Sequence, residues 1–203
     1  MDTLLKYWMT ILRDASTERS AFRMAAHQVT RIIAGKAAEY IPTNHVTIHT
    51  PIAQAEGITF AHQILLIPIL RSGMAMLPAF LEIFPNAVVG IVGLKRDEKT
   101  AQAHWYYENV PLFDTHTHII ILDPMIATGG TALETLKFLC NKGAQQKNMI
   151  FASIVSAPEG ISAIQNEFSD ITIICAGHDK ELNVHKFIIP GLGDFGDRYF
   201  GTE

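Results

Sequence analysis

Phe22, Ala26, Val29, Ile33 and Ala37 fall three or four positions apart, the spacing of one face of an α-helix. The polar group from Asp14 to Thr17, with Asp14, Ser16 and Thr17 its polar members, supplies cap candidates ahead of the run and Pro42 follows it, so the N-terminal region is predicted to be helical. Val46, Ile48 and then residues 52–60, broken by Pro51 and Gly57, predict a hairpin or flap outside the main sheet. From residue 63 the pattern changes. Apolar runs at 64–70, 87–94, 118–122, 149–156 and 171–176 alternate with helical patterns at 74–83, 131–141 and 159–168. Runs that are apolar at every position belong to strands covered on both faces. Their alternation with helices through short connections predicts an α/β fold: a parallel sheet flanked by helices, with N-terminal helices and a small flap or hood. Ligand loops in such a sheet lie at the carboxyl ends of the strands, which marks residues 71–73, 95–104 and 123–131.

A length of 203 residues with 48% hydrophobic residues suits one folding unit over 1–203, and no repeat, low-complexity tract or linker divides it. The formal charge of −4 speaks against broad binding to nucleic acid or an anionic membrane. No apolar run approaches membrane-spanning length, and Asp2, Lys6 and Arg13 interrupt the N-terminus, so neither a membrane segment nor a signal peptide is expected. Cys140 in a predicted helix and Cys175 in a predicted strand form no metal or redox spacing. Buried, reduced thiols and a cytoplasmic setting follow as expectations.

The most informative segment is Ile119-Ile-Ile-Leu-Asp-Pro-Met-Ile-Ala-Thr-Gly-Gly-Thr. Pro124 has no backbone donor and ends the strand's ladder. Ala127, Thr128, Gly129, Gly130 and Thr131 are small or carry hydroxyls and run into a helical pattern, so successive amides can point at an anion at the helix N-terminus. The plain alternative has Gly129 and Gly130 relieving backbone strain and Thr131 capping the helix. It accounts for the glycines but not for Asp123, which at the strand end can accept hydrogen bonds from ribose hydroxyls. A nucleotide P-loop is excluded, because Gly130 stands where that motif needs a lysine. The cradle therefore suits a phosphorylated sugar.

Arg71-Ser-Gly follows another buried run and places a guanidinium at the same edge, suited to a diphosphate. Gly93-Leu-Lys-Arg-Asp-Glu-Lys-Thr is charged and could close as a lid, with Arg96 the candidate for bidentate phosphate contact and Lys95 or Lys99 adding charge. Gly191-Leu-Gly-Asp-Phe-Gly matches the dinucleotide fingerprint by letter, yet residues 197–203 leave no room for the helix that fingerprint requires. Its glycines instead predict close backbone approach to a small planar ligand. His116 and His118 share one face of a strand entry, but no third metal ligand is identifiable.

Taken together, Pro68-Ile-Leu-Arg-Ser-Gly-Met, the lid segment, Trp105-Tyr-Tyr, the cradle, Ala157-Pro-Glu-Gly and Pro190-Gly-Leu-Gly-Asp-Phe-Gly-Asp-Arg-Tyr-Phe-Gly-Thr resemble the uracil phosphoribosyltransferase family over residues 4–202. The resemblance implies a type I phosphoribosyltransferase core. It also implies transfer of 5-phosphoribosyl from 5-phosphoribosyl 1-diphosphate to N1 of uracil, giving UMP and diphosphate with Mg²⁺ as cofactor. By the same resemblance Asp123, Pro124, Met125, Ile126, Ala127, Thr128, Gly129, Gly130 and Thr131 would hold the ribose 5-phosphate, and Arg71 and Arg96 the diphosphate. Asp194 would contact the phosphoribosyl substrate or its Mg²⁺, and assistance to loss of the uracil proton is a further hypothesis for it. Ile188, Gly193, Asp194 and Phe195 would meet uracil through their backbone, and no direct protein metal ligand is assigned. A homodimer or homotetramer is expected, with GTP a candidate activator. The chain departs from the family at Phe195, where a small residue is usual, and at Val184 and Lys186, which replace the usual Glu and Gly. A ring at 195 is expected to narrow or re-aim the base pocket. That leaves two alternative readings: transfer to a different nucleobase, or a non-catalytic nucleotide-sensing or RNA-binding regulator on the same fold.

Overall fold

A computed structural model describes residues 3–96 and 103–202 of the chain. Two helices open it, α1 (Thr3–Arg13) and α2 (Arg19–Ala38). The residue that caps α2 is Glu18, not Asp14, Ser16 or Thr17. Asp14 instead closes its own turn, its Oδ1 accepting from the Ser16 amide at 2.8 Å and the Ser16 hydroxyl at 2.7 Å. The expected flap is a hairpin of β1 (Thr43–His49) and β2 (Gln54–Phe60), which pair only with each other.

The main sheet begins with β3 (Ile64–Leu70), followed by a 3₁₀ turn (Ser72–Ala75) and α3 (Leu77–Ile83). The helix predicted over 74–83 starts late because Pro78 occupies its first turn and suits an N-terminus, not an interior. The run 87–94 divides into β4 (Val88–Val89) and β5 (Ile91–Arg96), separated by Gly90, whose amide donates to Leu66 O at 3.0 Å. Then come β6 (Ala103–Asn109), β7 (His118–Leu122), β8 (Met125–Ile126), α4 (Gly130–Asn141), β9 (Met149–Ser156), α5 (Pro158–Glu167) and β10 (Thr172–His178). A small pair, β11 (Glu181–Leu182) with β12 (Ile188–Ile189), and α6 (Phe195–Phe200) complete the described chain.

The sheet runs in the order β10-β9-β7-β3-β5-β6, with β4 beside β3 and β8 beside β9. Every pairing in it is parallel except β5 with β6, so the expected parallel sheet carries one antiparallel edge strand. That edge was not legible because Trp105, Tyr106 and Tyr107 are all at the surface and give no apolar alternation.

Strand period sorts the core into two layers. Ile64 and Leu66 of β3, Ile120 and Leu122 of β7, and Ile150, Ala152 and Ile154 of β9 pack with Leu5, Met9, Leu12, Phe22, Val29 and Phe80 from the N-terminal helices and α3. Their neighbours Leu65, Ile67, Ile119, Ile121, Met149 and Phe151 face the other way, against Leu136 and Leu139 of α4 and Ile164 of α5. Cys140 and Cys175 are free thiols, only partly buried. Among the described residues no helix is long and apolar enough to cross a membrane.

Candidate functional site

β7 is buried along its whole length and ends at Leu122, which delivers Asp123 to the sheet's carboxyl edge. The Asp123 amide donates to Ala152 O at 3.2 Å, and the Pro124 carbonyl accepts from the amides of Ile154 and Val155, both at 3.0 Å. Pro124 therefore stitches the loop to β9 and does not line the cavity beyond it. β8 adds two ladder positions, Met125 with Val155 and Ile126 with Ser156. The cavity, about 90 Å³, is bordered by Asp123, Met125, Ile126, Ala127, Thr128, Gly129, Gly130, Thr131 and Ala132. These are the sequence candidates, Pro124 excepted.

The helix cap distinguishes the two readings of this loop. Gly129 is the N-cap of α4, at φ +81°, and no side chain accepts from the first-turn amides. Thr131 is not the cap, so those amides keep their capacity for an anion. The turn is held tightly from outside: a Cβ at Gly129 would stand 2.9 Å from Gly160 O, and one at Gly160 would collide with Ala127 O. This contact explains the glycine of Ala157-Pro-Glu-Gly. In the same segment Glu159 Oε1 accepts from the Leu182 amide at 3.0 Å, which holds its carboxyl below the ordinary range and ties α5 to β11.

Asp123 is partly open to the cavity yet closely packed by protein. Burial pushes its carboxyl up to about 7, against a smaller opposing effect of the Met125 amide. Such a group changes charge near neutrality at the border of the cavity.

Arg71 follows β3 after a cis Leu70–Arg71 peptide. Its guanidinium donates to Thr202 Oγ1 at 3.2 Å, stands 3.8 Å from Asp197 Oδ1 and lies over the Phe200 ring at 5.2 Å from its centre. Thr202 donates in turn to Asp197 Oδ1 at 2.6 Å. Gly196 stands between the loops, for a Cβ there would meet Ser72 Oγ at 2.8 Å and Asp194 Oδ1 at 3.2 Å. Thus Arg71, Ser72, Asp194 and Asp197 form one cluster. Lys95 ends exposed on β5, whereas the side chain of Arg96 and residues 97–102, with most of the expected lid, lie outside the described residues. The part of that segment which is described is strand, Lys95 pairing with His104 and Arg96 with Ala103.

The glycine-rich segment does carry a helix, contrary to expectation, because α6 is only six residues long and begins inside the motif. Asp194 caps it, accepting from the Asp197 amide at 3.0 Å. Gly191 and Gly193 take positive φ, +64° and +80°, and Ile189–Pro190 is cis. Ile188 is buried, whereas Gly193 and Asp194 are exposed. The expectation for Phe195 is corrected. Its ring is 1% exposed and packs in the core against Phe22 and Tyr199, with centroids 5.4 and 5.6 Å away. A ring turned inward cannot narrow a pocket. Val184 is exposed, and Lys186 occupies the family glycine's place with φ +66°.

Sequence reasoning missed the groups that hold this loop. Arg13 pairs with Asp179, whose Oδ2 accepts from the Gly191 amide at 2.9 Å, and Arg198 donates to Leu192 O at 2.7 Å. Arg13 lies 166 positions from Asp179, and no spacing rule joins them. His116 and His118 prove to be neighbours of His62, stacked on it with ring centres 5.4 and 5.7 Å away, at the far end of β7 from the cradle.

The layers, the strand order and a cradle at the carboxyl edge of β7 define a type I phosphoribosyltransferase fold. Hypoxanthine phosphoribosyltransferase from Trypanosoma cruzi superposes with a TM-score of 0.51 at 8% identity, over 79% of this chain and 80% of that one, a likeness of fold alone. A solved structure from Aquifex aeolicus superposes with a TM-score of 0.92 at 30% identity, over 100% of this chain and 97% of that one. A family profile described as uracil phosphoribosyltransferase matches residues 1–202. Relatives of that name from Limosilactobacillus fermentum and Dictyoglomus turgidum are 39% and 40% identical over 201 residues, which is 98% of this chain and 95% and 96% of theirs. The chain belongs to the uracil phosphoribosyltransferase family.

Proposed function

We propose that the chain transfers the 5-phosphoribosyl group of 5-phosphoribosyl 1-diphosphate to N1 of uracil, forming UMP and diphosphate in pyrimidine salvage, with the whole chain acting as one phosphoribosyltransferase domain. The observation that carries this reading is an uncapped helix start and Asp123 at the end of β7, where the Leu122 carbonyl lies against Gly73 of the loop that carries Arg71. The uncapped amides and the hydroxyls of Thr128 and Thr131 bind the 5-phosphate, and Asp123 accepts from the ribose hydroxyls. Breaking the bond from C1 to diphosphate builds positive charge on the ribose and negative charge on the leaving group. Arg71 and Arg96 meet that negative charge, and fixed groups aimed at developing charge commonly supply the largest catalytic effect.

Mg²⁺ bound to phosphate needs only one or two carboxylates from the protein. Asp194, exposed beside Arg71, fits that requirement and would hold the ion, which when bound neutralises diphosphate charge. The backbone of Ile188, Gly193, Asp194 and Phe195 meets the base, and Asp194 takes up the N1 proton as the new bond forms. A homodimer or homotetramer is part of this reading, supported by exposed apolar residues such as Ile52 and Ile58 on the β1–β2 hairpin. A cytoplasmic location and activation by GTP rest on the family resemblance.

The test is to mix the protein with Mg²⁺, 5-phosphoribosyl 1-diphosphate and each of several nucleobases, and to follow nucleotide and diphosphate. UMP from uracil, with little product from cytosine or purines, is expected. Absence of UMP would refute the activity.

A further inference from the structure

The loop proposed to meet the base owes its shape to groups that do not belong to it. Arg13, the last residue of α1, donates through one guanidinium nitrogen to Asp179 Oδ1 at 2.5 Å, and through the other to Asp179 Oδ2 at 2.9 Å and Gly191 O at 2.7 Å. Asp179 Oδ2 also accepts from the Gly191 amide at 2.9 Å. Both backbone polar groups of Gly191 are thus taken up by this one ion pair. The Asp179 side chain is 4% exposed and that of Arg13 is 27% exposed. Asp179 is itself fixed, its amide donating to Ser156 O at 2.8 Å at the end of β9. Gly177 leaves the necessary room, since a Cβ there would stand 2.9 Å from the Arg13 guanidinium and 3.1 Å from Met9 Cε. On the next turn of the loop Arg198 donates to Leu192 O at 2.7 Å and to Leu12 O at 2.6 Å, so the end of α1 grips the loop a second time.

We propose that Arg13 and Asp179 are positioning residues for the nucleobase: by fixing both backbone groups of Gly191 they set the register of Gly193 to Phe195, and so determine base affinity without touching the base. This rests on the reading that residues 188–195 meet uracil. Gly191 and Gly193 are the two hinges at positive φ, where glycine has the widest conformational freedom, so external anchoring is what selects one loop geometry. Recognition through main-chain hydrogen bonds depends on donor and acceptor positions to within fractions of an ångström.

Steady-state kinetics of Asp179→Asn, Arg13→Lys and Arg13→Ala test this, together with hydrogen exchange at the Gly191 amide. Asn can still accept from that amide but cannot hold the guanidinium by charge, and Lys keeps the charge without the two-nitrogen fork. The expected result is a rise of about ten-fold or more in KM for uracil in Arg13→Ala, with smaller rises in the two conservative variants, since misplacing a positioning contact has effects of this order. KM for 5-phosphoribosyl 1-diphosphate should stay within about two-fold, because the cradle is anchored elsewhere, and Gly191 exchange should accelerate in the same order as the uracil effect. Faster exchange with an unchanged uracil KM overturns the inference, as does an equal rise in both KM values. A wild-type protein that forms no UMP overturns the activity itself and takes this inference with it, whereas an active wild type whose variants keep the wild-type uracil KM overturns this inference alone.

Discussion

The carbonyl oxygen of Leu122 lies against Gly73, in the space that a Cβ on residue 73 would have to occupy. β3 and β7 are paired, Pro68 beside Leu122, so the loop carrying Arg71 and the strand end carrying Asp123 meet without a side chain between them. Their separation depends on that glycine. In Gly73→Ala the overlap is with backbone on both sides, and overpacking of this kind costs about 1–3 kcal/mol. We expect a lower urea midpoint and a higher KM for 5-phosphoribosyl 1-diphosphate. An unchanged midpoint with normal kinetics would show that the loops can part freely.

Asp123 makes the site sensitive to pH. Burial raises its carboxyl from 3.8 to about 7, so between those values the folded chain holds a proton that the unfolded chain has released. Its contribution to stability is therefore complete below 3.8 and is lost as pH rises through about 7. Activity should run the other way, because the carboxylate is the better acceptor for ribose hydroxyls. The expected profile is kcat/KM for 5-phosphoribosyl 1-diphosphate rising with an inflection near 7 in the wild type and flat there in Asp123→Asn. The same inflection in the variant would assign it to another group.

Arg71 is held by Thr202, Asp197 and Phe200 and so reaches the edge of the sheet preorganised. Arg71→Ala should lower kcat/KM for 5-phosphoribosyl 1-diphosphate by about 10²–10³-fold, the usual effect of deleting one fixed donor to developing charge. Thermal stability should barely move, since the side chain is exposed. Asp194→Asn keeps an oxygen for the Asp197 amide, and a loss of about 10²-fold or more in turnover is expected if its carboxylate takes the uracil proton. Undiminished turnover removes that role.

Phe195 is a core residue in the middle of a candidate site. Phe195→Ala should destabilise the fold by about 3–5 kcal/mol, as deleting a buried ring does. Phe195→Leu should cost less and leave the order of preference among nucleobases unaltered. A changed preference in the Leu variant, measured with cytosine and purines as competitors, would bring the ring back into the pocket.

Lys186 holds a left-handed conformation at φ +66° in an exposed turn. Lys186→Gly relieves the clash of Cβ with the following carbonyl, which outweighs the greater freedom of glycine in the unfolded chain. A gain of about 1 kcal/mol or less is expected in denaturant unfolding, with unchanged uracil kinetics.

Much of this molecule could be read along the chain, and the physical reason is local. A strand buried on both faces must be apolar at every position, so 64–70, 118–122 and 149–156 announced themselves as sheet. The amides that a helix N-terminus presents are contiguous, so the candidate cradle at 123–131 lies in one stretch of chain. β6 escaped because an edge strand facing solvent needs no apolar pattern, and α6 because a six-residue helix is too short to show a period.

By itself, then, the sequence determined the alternating α/β plan, the candidate cradle loop and the family, since each rests on neighbours in the chain. Tertiary structure alone decided which way the Phe195 ring points, which glycines stand at the contact between loops, and that Arg13 and Asp179 close on Gly191. Those facts depend on the packing of segments far apart in sequence, where side-chain direction and desolvation arise only once α1, α2 and α6 have met. The same packing gives Asp123 its raised carboxyl, since burial is a property of the assembled cradle and not of the residue.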